Sequence, residues 1–170
     1  MLALAITADL NGVTDLQPED TEDNPFYYTF KVQCTSCREV HPNWVGVSRF
    51  VQRAFANLIF ETNEVSGSRG EANFVWRCKN CRKEHSASIL EAPKAYGQQS
   101  PPKPKNIITL DCRGLEFVDF KPDGAWQATG AESGTKFSDI DLTEGEWFDY
   151  DEKAGDEVSI KDIKWEVKRA

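Results

Sequence analysis

Methionine occurs once and histidine twice in 170 residues, and no apolar run approaches the roughly 18 residues that a membrane span needs. Two histidines leave no His-Glu-x-x-His helix, and neither cysteine pair has an upstream His-x-Glu element, so the usual frameworks of zinc hydrolases and deaminases are missing. Positive charge is also short: 20 Lys and Arg stand against 28 Asp and Glu, for a net charge of −8 and a pI near 4.8. Such a molecule repels phosphate backbones and anionic lipid, so neither nucleic acid nor a membrane surface is the expected partner. The opening Met1-Leu-Ala-Leu-Ala-Ile-Thr lacks the basic stretch of a secretory signal and reads as a first strand. A reducing compartment is therefore expected, the cytoplasm with the nucleus as a further location, where Cys-x-x-Cys pairs serve as metal ligands or redox dithiols rather than structural disulfides.

The chain is nonetheless rich in core material. Aromatic residues make up 11% of it, with five Trp and ten Phe, which excludes a disordered protein. Short runs of β-branched and aromatic residues at Leu2 to Leu10, Phe26 to Val32, Ala72 to Trp76, Ser86 to Leu90, Ile107 to Cys112 and Val158 to Val167 predict strands. Turn-forming clusters such as Asn11-Gly12, Lys121-Pro-Asp-Gly124 and Ser133-Gly134 punctuate them. The expected fold class is all-β, a two-sheet sandwich or barrel-like arrangement. One segment departs from it: Val47, Phe50, Val51, Ala54, Phe55, Leu58 and Ile59 follow helical spacing and predict one short helix near 47–60.

A proline-rich stretch, 92–105, reads as an extended connector between halves 1–91 and 106–170 of one domain spanning 1–170. The halves echo one another. Gly12-Val-Thr-Asp-Leu-Gln-Pro18 resembles Gly114-Leu-Glu116 with Asp119-Phe-Lys-Pro122; Ser66 to Arg69 resembles Ser133 to Lys136; Glu84 to Ile89 lies beside Asp156 to Ile160. Their shared order predicts pseudo-twofold symmetry. Residues 1–90 carry net charge −2 and residues 91–170 carry −6, and nine carboxylates crowd Asp139 to Glu157. That acidic run reads first as a solvated face, with protein docking or weak metal capture through Asp139 and Asp141 as the sharper alternatives.

Five cysteines are present, four of them in Cys34-Thr-Ser-Cys37 and Cys78-Lys-Asn-Cys81, each expected just after a strand. A Cys-x-x-Cys turn lets two sulfurs converge on one ion, and two such turns complete the tetrahedral set that zinc prefers. The forty residues between the pairs exceed the spacing of compact zinc ribbons, so the sheet must bring them together. One structural Zn(2+) per chain, held by Cys34, Cys37, Cys78 and Cys81, is the leading reading; a redox dithiol and an iron–sulfur or copper(I) site are the alternatives. His41 and His85, each four residues past a cysteine, are expected at the surface or behind the ligands, with replacement of a sulfur by either ring as the alternative. Cys112 is expected to be a small buried hydrophobe. Arg38, Lys79, Arg82 and Lys83, with Arg69 and Arg77 upstream, gather positive charge near the cysteines, either to balance the thiolates or to dock an acidic protein or RNA.

These motifs, together with Ser66-Gly-Ser-Arg-Gly70, Cys112-Arg-Gly-Leu-Glu116, Val118-Asp-Phe120, Gly130 to Ser138 and Trp147-Phe-Asp-Tyr-Asp-Glu-Lys153, resemble the eukaryotic CXXC-motif-containing zinc-binding proteins over nearly the whole chain. The resemblance implies an all-β fold of two similar halves, zinc on the four matching cysteines and no established catalysis. The segment from Phe50 to Glu64 departs from that pattern as an apparent insertion. With no nucleophile or acid–base constellation in the sequence, the expected function is non-enzymatic: a zinc-binding, protein-interacting monomer, metal-handling proteins being one partner class. A metal carrier or thiol-redox protein using the two Cys-x-x-Cys pairs is the alternative.

Overall fold

In the segment Leu2–Asn11, Leu2, Leu4 and Ile6 alternate with Ala3 and Ala5, and all five are buried. Alternate residues of a strand point to opposite faces, so this strand, β1, is covered on both sides, with Leu2, Leu4 and Ile6 on one face and Ala3 and Ala5 on the other. The computed structural model describes residues 1–50, 53–54 and 71–170. Strands of the first half are β1, β2 (Val13–Pro18), β3 (Tyr28–Cys34), β4 (Val45–Val47), β5 (Arg53–Ala54), β6 (Glu71–Ala72), β7 (Phe74–Arg77) and β8 (Glu84–Ile89). Those of the second are β9 (Lys105–Arg113), β10 (Leu115–Lys121), β11 (Trp126–Gly130), β12 (Lys136–Ile140), β13 (Trp147–Asp151) and β14 (Asp156–Arg169).

A six-stranded sheet runs β13-β14-β1-β9-β8-β7, and two three-stranded sheets run β10-β3-β4 and β12-β11-β2. The all-β fold agrees with the sequence reading, except that the second layer is split in two. Among the described residues there is no helix. Of the segment expected to be helical, Val47 closes β4 and Arg53–Ala54 pairs with Glu71–Ala72; the remainder, including the apparent insertion, lies largely outside the described residues.

Exchanging β1, β2, β3, β4, β7 and β8 with β9, β10, β11, β12, β13 and β14 leaves the pairing order unchanged. The strand registers make this equivalence residue-specific. Leu115 lies opposite Cys34 as Val13 lies opposite Gly130, and His85 opposite Trp76 as Val158 opposite Asp149. The glycines Gly12 and Gly114, which turn β1 into β2 and β9 into β10, both have φ near +80°, at 76° and 82°. Each half also lends a strand to the other, since β10 pairs with β3 and β2 with β11.

Two of the sequence echoes shift under this register. Pro18 lies opposite Trp126 and Phe120 opposite Phe30, so Pro18 corresponds to Phe120 rather than to Pro122. Ser133 to Lys136 corresponds to Cys37 to Val40, whereas 66–69 lies outside the described residues.

The layers meet through aromatic rings. Trp165 of β14 packs on Phe120 and Trp126 with ring centroids 4.8 and 5.3 Å away, and Phe74 of β7 meets Phe117 of β10 at 6.0 Å. The connector is not loose: Tyr96 is fully buried, exchanges backbone hydrogen bonds with Leu16, and donates its hydroxyl to the Lys103 carbonyl at 2.8 Å.

Candidate metal centre

Strand β3 ends at Cys34 and β7 at Arg77, and each runs into the same tight turn. The Arg38 N–H donates to the Cys34 carbonyl at 2.9 Å and the Cys34 N–H to the Glu39 carbonyl at 3.0 Å. In the other turn the Arg82 N–H donates to Cys78 at 2.8 Å and the Cys78 N–H to Lys83 at 3.0 Å. Both turns need a left-handed residue, and Arg38 and Arg82 supply it at φ 66° and 62°. The turn geometry thereby throws the first and fourth side chains of each Cys-x-x-Cys to the same side.

All five cysteines are free thiols. The sulfurs of Cys34, Cys37, Cys78 and Cys81 lie within 4.8 Å of one another, and Cys34–Cys81 and Cys37–Cys78 are each 3.6 Å apart. That is too long for a disulfide and close to the sulfur–sulfur edge of about 3.8 Å expected around a tetrahedral ion with bonds near 2.3 Å. The donor set thus fits one soft divalent cation. Cys34 and Cys78 are buried while Cys37 and Cys81 are partly exposed, so the cluster has an inner and an outer side.

Hydrogen bonds from the Asn80 side chain, then from the Glu39 backbone amide, bring the Cys37 thiol down to about 6. The Lys83 amide pulls Cys81 the same way, but burial and its three neighbouring thiols outweigh it and push that group up to about 11. Four thiols this close cannot all ionise without a counter-charge, which a dication provides.

His85 is buried, its Nε2 3.3 Å from Cys34 Sγ. Burial, and then Lys83, lowers its pKa despite Glu84, favouring a neutral imidazole that donates Nε2–H to a thiolate. Gly114 makes room for the ring: a Cβ there would overlap the imidazole. His41 stands outside the sulfur cluster, edge-on to Trp76 at 5.9 Å. Cys112 is half-buried, packs against the core, and is pushed up to about 12 chiefly by burial, which makes it a poor nucleophile. Arg38, Lys79, Arg82 and Lys83 are all exposed around the turns.

The acidic run gathers no second cluster; among the described residues the four cysteines form the one group of three or more ligating side chains. Exposed Asp141 instead accepts from the Thr143 amide and hydroxyl at 2.9 and 2.7 Å, a local turn. Sequence reasoning placed His85 at the surface or behind the ligands and could not choose between them. The deciding signal was Gly114, whose missing side chain is legible only once β8 and β9 are known to be neighbours.

An all-β protein with a four-thiolate centre at paired strand-end turns belongs to the class of small zinc-binding β-proteins. Within that class the chain belongs to a specific family: the model for eukaryotic CXXC motif containing zinc binding proteins matches residues 3–168. It is 46% identical to the UPF0587 protein C2D10.03c of Schizosaccharomyces pombe, over 99% of this chain and 98% of that one. It is 38% identical to the mouse CXXC motif containing zinc binding protein, over 95% and 94%. The crystal structure of C1orf123 superposes with a TM-score of 0.86 at 36% identity, covering 99% of each chain. A hypothetical protein from Plasmodium falciparum shares the fold alone, with a TM-score of 0.79 at 20% identity and 98% coverage of each.

Proposed function

We propose that Cys34, Cys37, Cys78 and Cys81 hold one structural zinc ion per chain, and that the protein is a non-enzymatic module that docks other proteins. The observation that carries the zinc reading is the convergence of the four sulfurs from two separate hairpins. Zinc bound there supplies a counter-charge and a cross-link between β3 and β7. Around it Asn80 and the backbone amides orient the thiolates, and His85 donates from the buried side.

The docking reading is supported by two surfaces of opposite character. One is the exposed basic rim of Arg38, Lys79, Arg82 and Lys83. The other is the outer face of β13 and β14, where Phe148 is 59% and Tyr150 52% exposed beside Asp149 and Glu157. Exposed aromatics ringed by charge are the usual anchors of protein interfaces. Metal-handling proteins are one partner class for the thiolate-bearing surface.

Metal content and melting of the purified chain beside Cys78→Ser test the zinc reading. The expected result is one zinc per chain, lost in the variant together with a Tm drop of roughly 10 °C. A metal-free wild type, or loss of metal without loss of stability, would remove the structural role. The partial exposure of Cys37 and Cys81 favours a second reading, a metal carrier or thiol-redox protein. Rapid zinc release to a mild chelator with the fold intact would support the carrier.

A further inference from the structure

The exchange of halves that relates β3 to β11 and β7 to β13 also relates the turns at their ends. In the second half the Gly134 N–H donates to the Gly130 carbonyl at 3.0 Å and the Gly130 N–H to Thr135 at 2.7 Å, the bonding of the Cys34 turn. The Gly155 N–H donates to Asp151 at 2.8 Å, as Arg82 does to Cys78. Gly134 and Gly155 are left-handed, at φ 73° and 70°, like Arg38 and Arg82. The positions of Cys34, Cys37, Cys78 and Cys81 therefore fall on Gly130, Ser133, Asp151 and Ala154.

The space a metal centre would fill is occupied by protein. Asp151 is 1% exposed. Its Oδ2 accepts from the Ser133 hydroxyl, and its Oδ1 from the Thr135 hydroxyl at 2.9 Å and the Lys153 and Ala154 amides at 3.1 and 3.2 Å. Gly130 is bare for the same reason: a Cβ there would come within 2.6 Å of both Ser133 Oγ and Asp151 Oδ2. One carboxylate thus reaches from the β13 turn to the β11 turn and is bonded in each. The residues that differ between the halves differ together. His85, which faces Gly114 and Cys34, is replaced by Val158, which faces Gly12 at the equivalent point.

We propose that the Asp151–Ser133–Thr135 cluster is a metal-free clamp that joins the second pair of turns as an ion joins the first, on a frame still shaped for a second four-thiolate centre. Anion and cation exchange roles here: in the first half negative sulfurs surround a positive ion, and in the second, hydroxyl and amide donors surround a negative oxygen pair. The donors satisfy the buried charge fully, so the clamp needs no bound cation.

The test uses the full chain in its zinc-loaded form. Asp151→Asn should lower Tm by about 5 °C and speed amide exchange at least tenfold at 130–135 and 151–155, with zinc content unchanged. Unaltered exchange and Tm would overturn the clamp, as would loss of zinc, which would make the effect of Asp151 global rather than local to the second pair of turns. Where that variant does not fold, Ser133→Ala removes one bond and should speed exchange of the same amides about threefold; no change would again overturn it. The shape of the frame is tested separately. The combined variant Gly130→Cys, Ser133→Cys, Asp151→Cys, Ala154→Cys should bind two cobalt(II) ions per chain with doubled thiolate charge-transfer absorbance. A folded variant that binds one would refute the equivalence, whatever the fate of the wild-type zinc site.

Discussion

His85 shows how a single side chain separates the two halves. Its counterpart Val158 fills the same place beside a left-handed glycine, so the site tolerates a β-branched apolar residue without altering the backbone. What the imidazole adds is a donor 3.3 Å from Cys34 Sγ. A neutral ring beside the thiolate stabilises the ionised sulfur without adding a competing positive charge. His85→Val should therefore weaken zinc binding roughly 10- to 100-fold in chelator competition, while the metal-free protein keeps its Tm within about 2 °C. Equal affinities would reduce the ring to packing. The four cysteines were legible in the sequence because their chemistry is local: a Cys-x-x-Cys turn carries its own geometry. His85 was not, because its role depends on a cleared space at Gly114, 29 residues away.

Among the elements, the turns matter more than the strands they end. Each Cys-x-x-Cys turn forces its next residue into the left-handed region, and the zinc half places arginine where the other half places glycine. A non-glycine residue there costs on the order of 1 kcal/mol. Arginine there sets a positive charge on the residue that follows each outer cysteine, Cys37 and Cys81. Arg38→Gly should accordingly raise the Tm of the metal-free chain by about 2–4 °C and leave zinc affinity equal or weaker, read by melting with and without chelator. A lowered metal-free Tm would mean that the arginine makes packing contacts that outweigh its backbone strain. The strands themselves were unevenly legible. Runs such as Leu2 to Leu10 and Val158 to Val167 announced themselves because both strands cross the core. Strand β13, Trp-Phe-Asp-Tyr-Asp, was hidden in the acidic run because it lies at a sheet edge, where Phe148 and Tyr150 face solvent and the one buried carboxylate is satisfied by hydroxyls. The helical spacing after Val47 misled in the described part because Val47 is fixed by pairing with Tyr28, a tertiary contact that local periodicity does not contain.

On the scale of the whole molecule, the strand exchange decides how loss of metal spreads. Because β10 belongs to the sheet of β3 and β2 to the sheet of β11, neither half has a complete second layer of its own. Global unfolding of one half would strip the other of a strand and expose the shared rings of Trp126, Trp165, Phe117 and Phe120. The cysteine turns, in contrast, stand at strand ends, and Ser36, Arg38, Lys79, Asn80 and Arg82 within them are exposed. Zinc removal should therefore act on two levels. At moderate temperature amide exchange should rise at 34–40 and 78–83, with 130–136 and 151–156 protected as before, since those turns are closed by Asp151. On heating, the metal-free protein should still melt in a single transition, because the interleaved sheets lose their core together. Hydrogen exchange and calorimetry on the same chelated sample separate the alternatives. Loss of protection in all four turns would make zinc the keystone of both halves, and two resolved melting transitions would mean that the exchanged strands do not couple them.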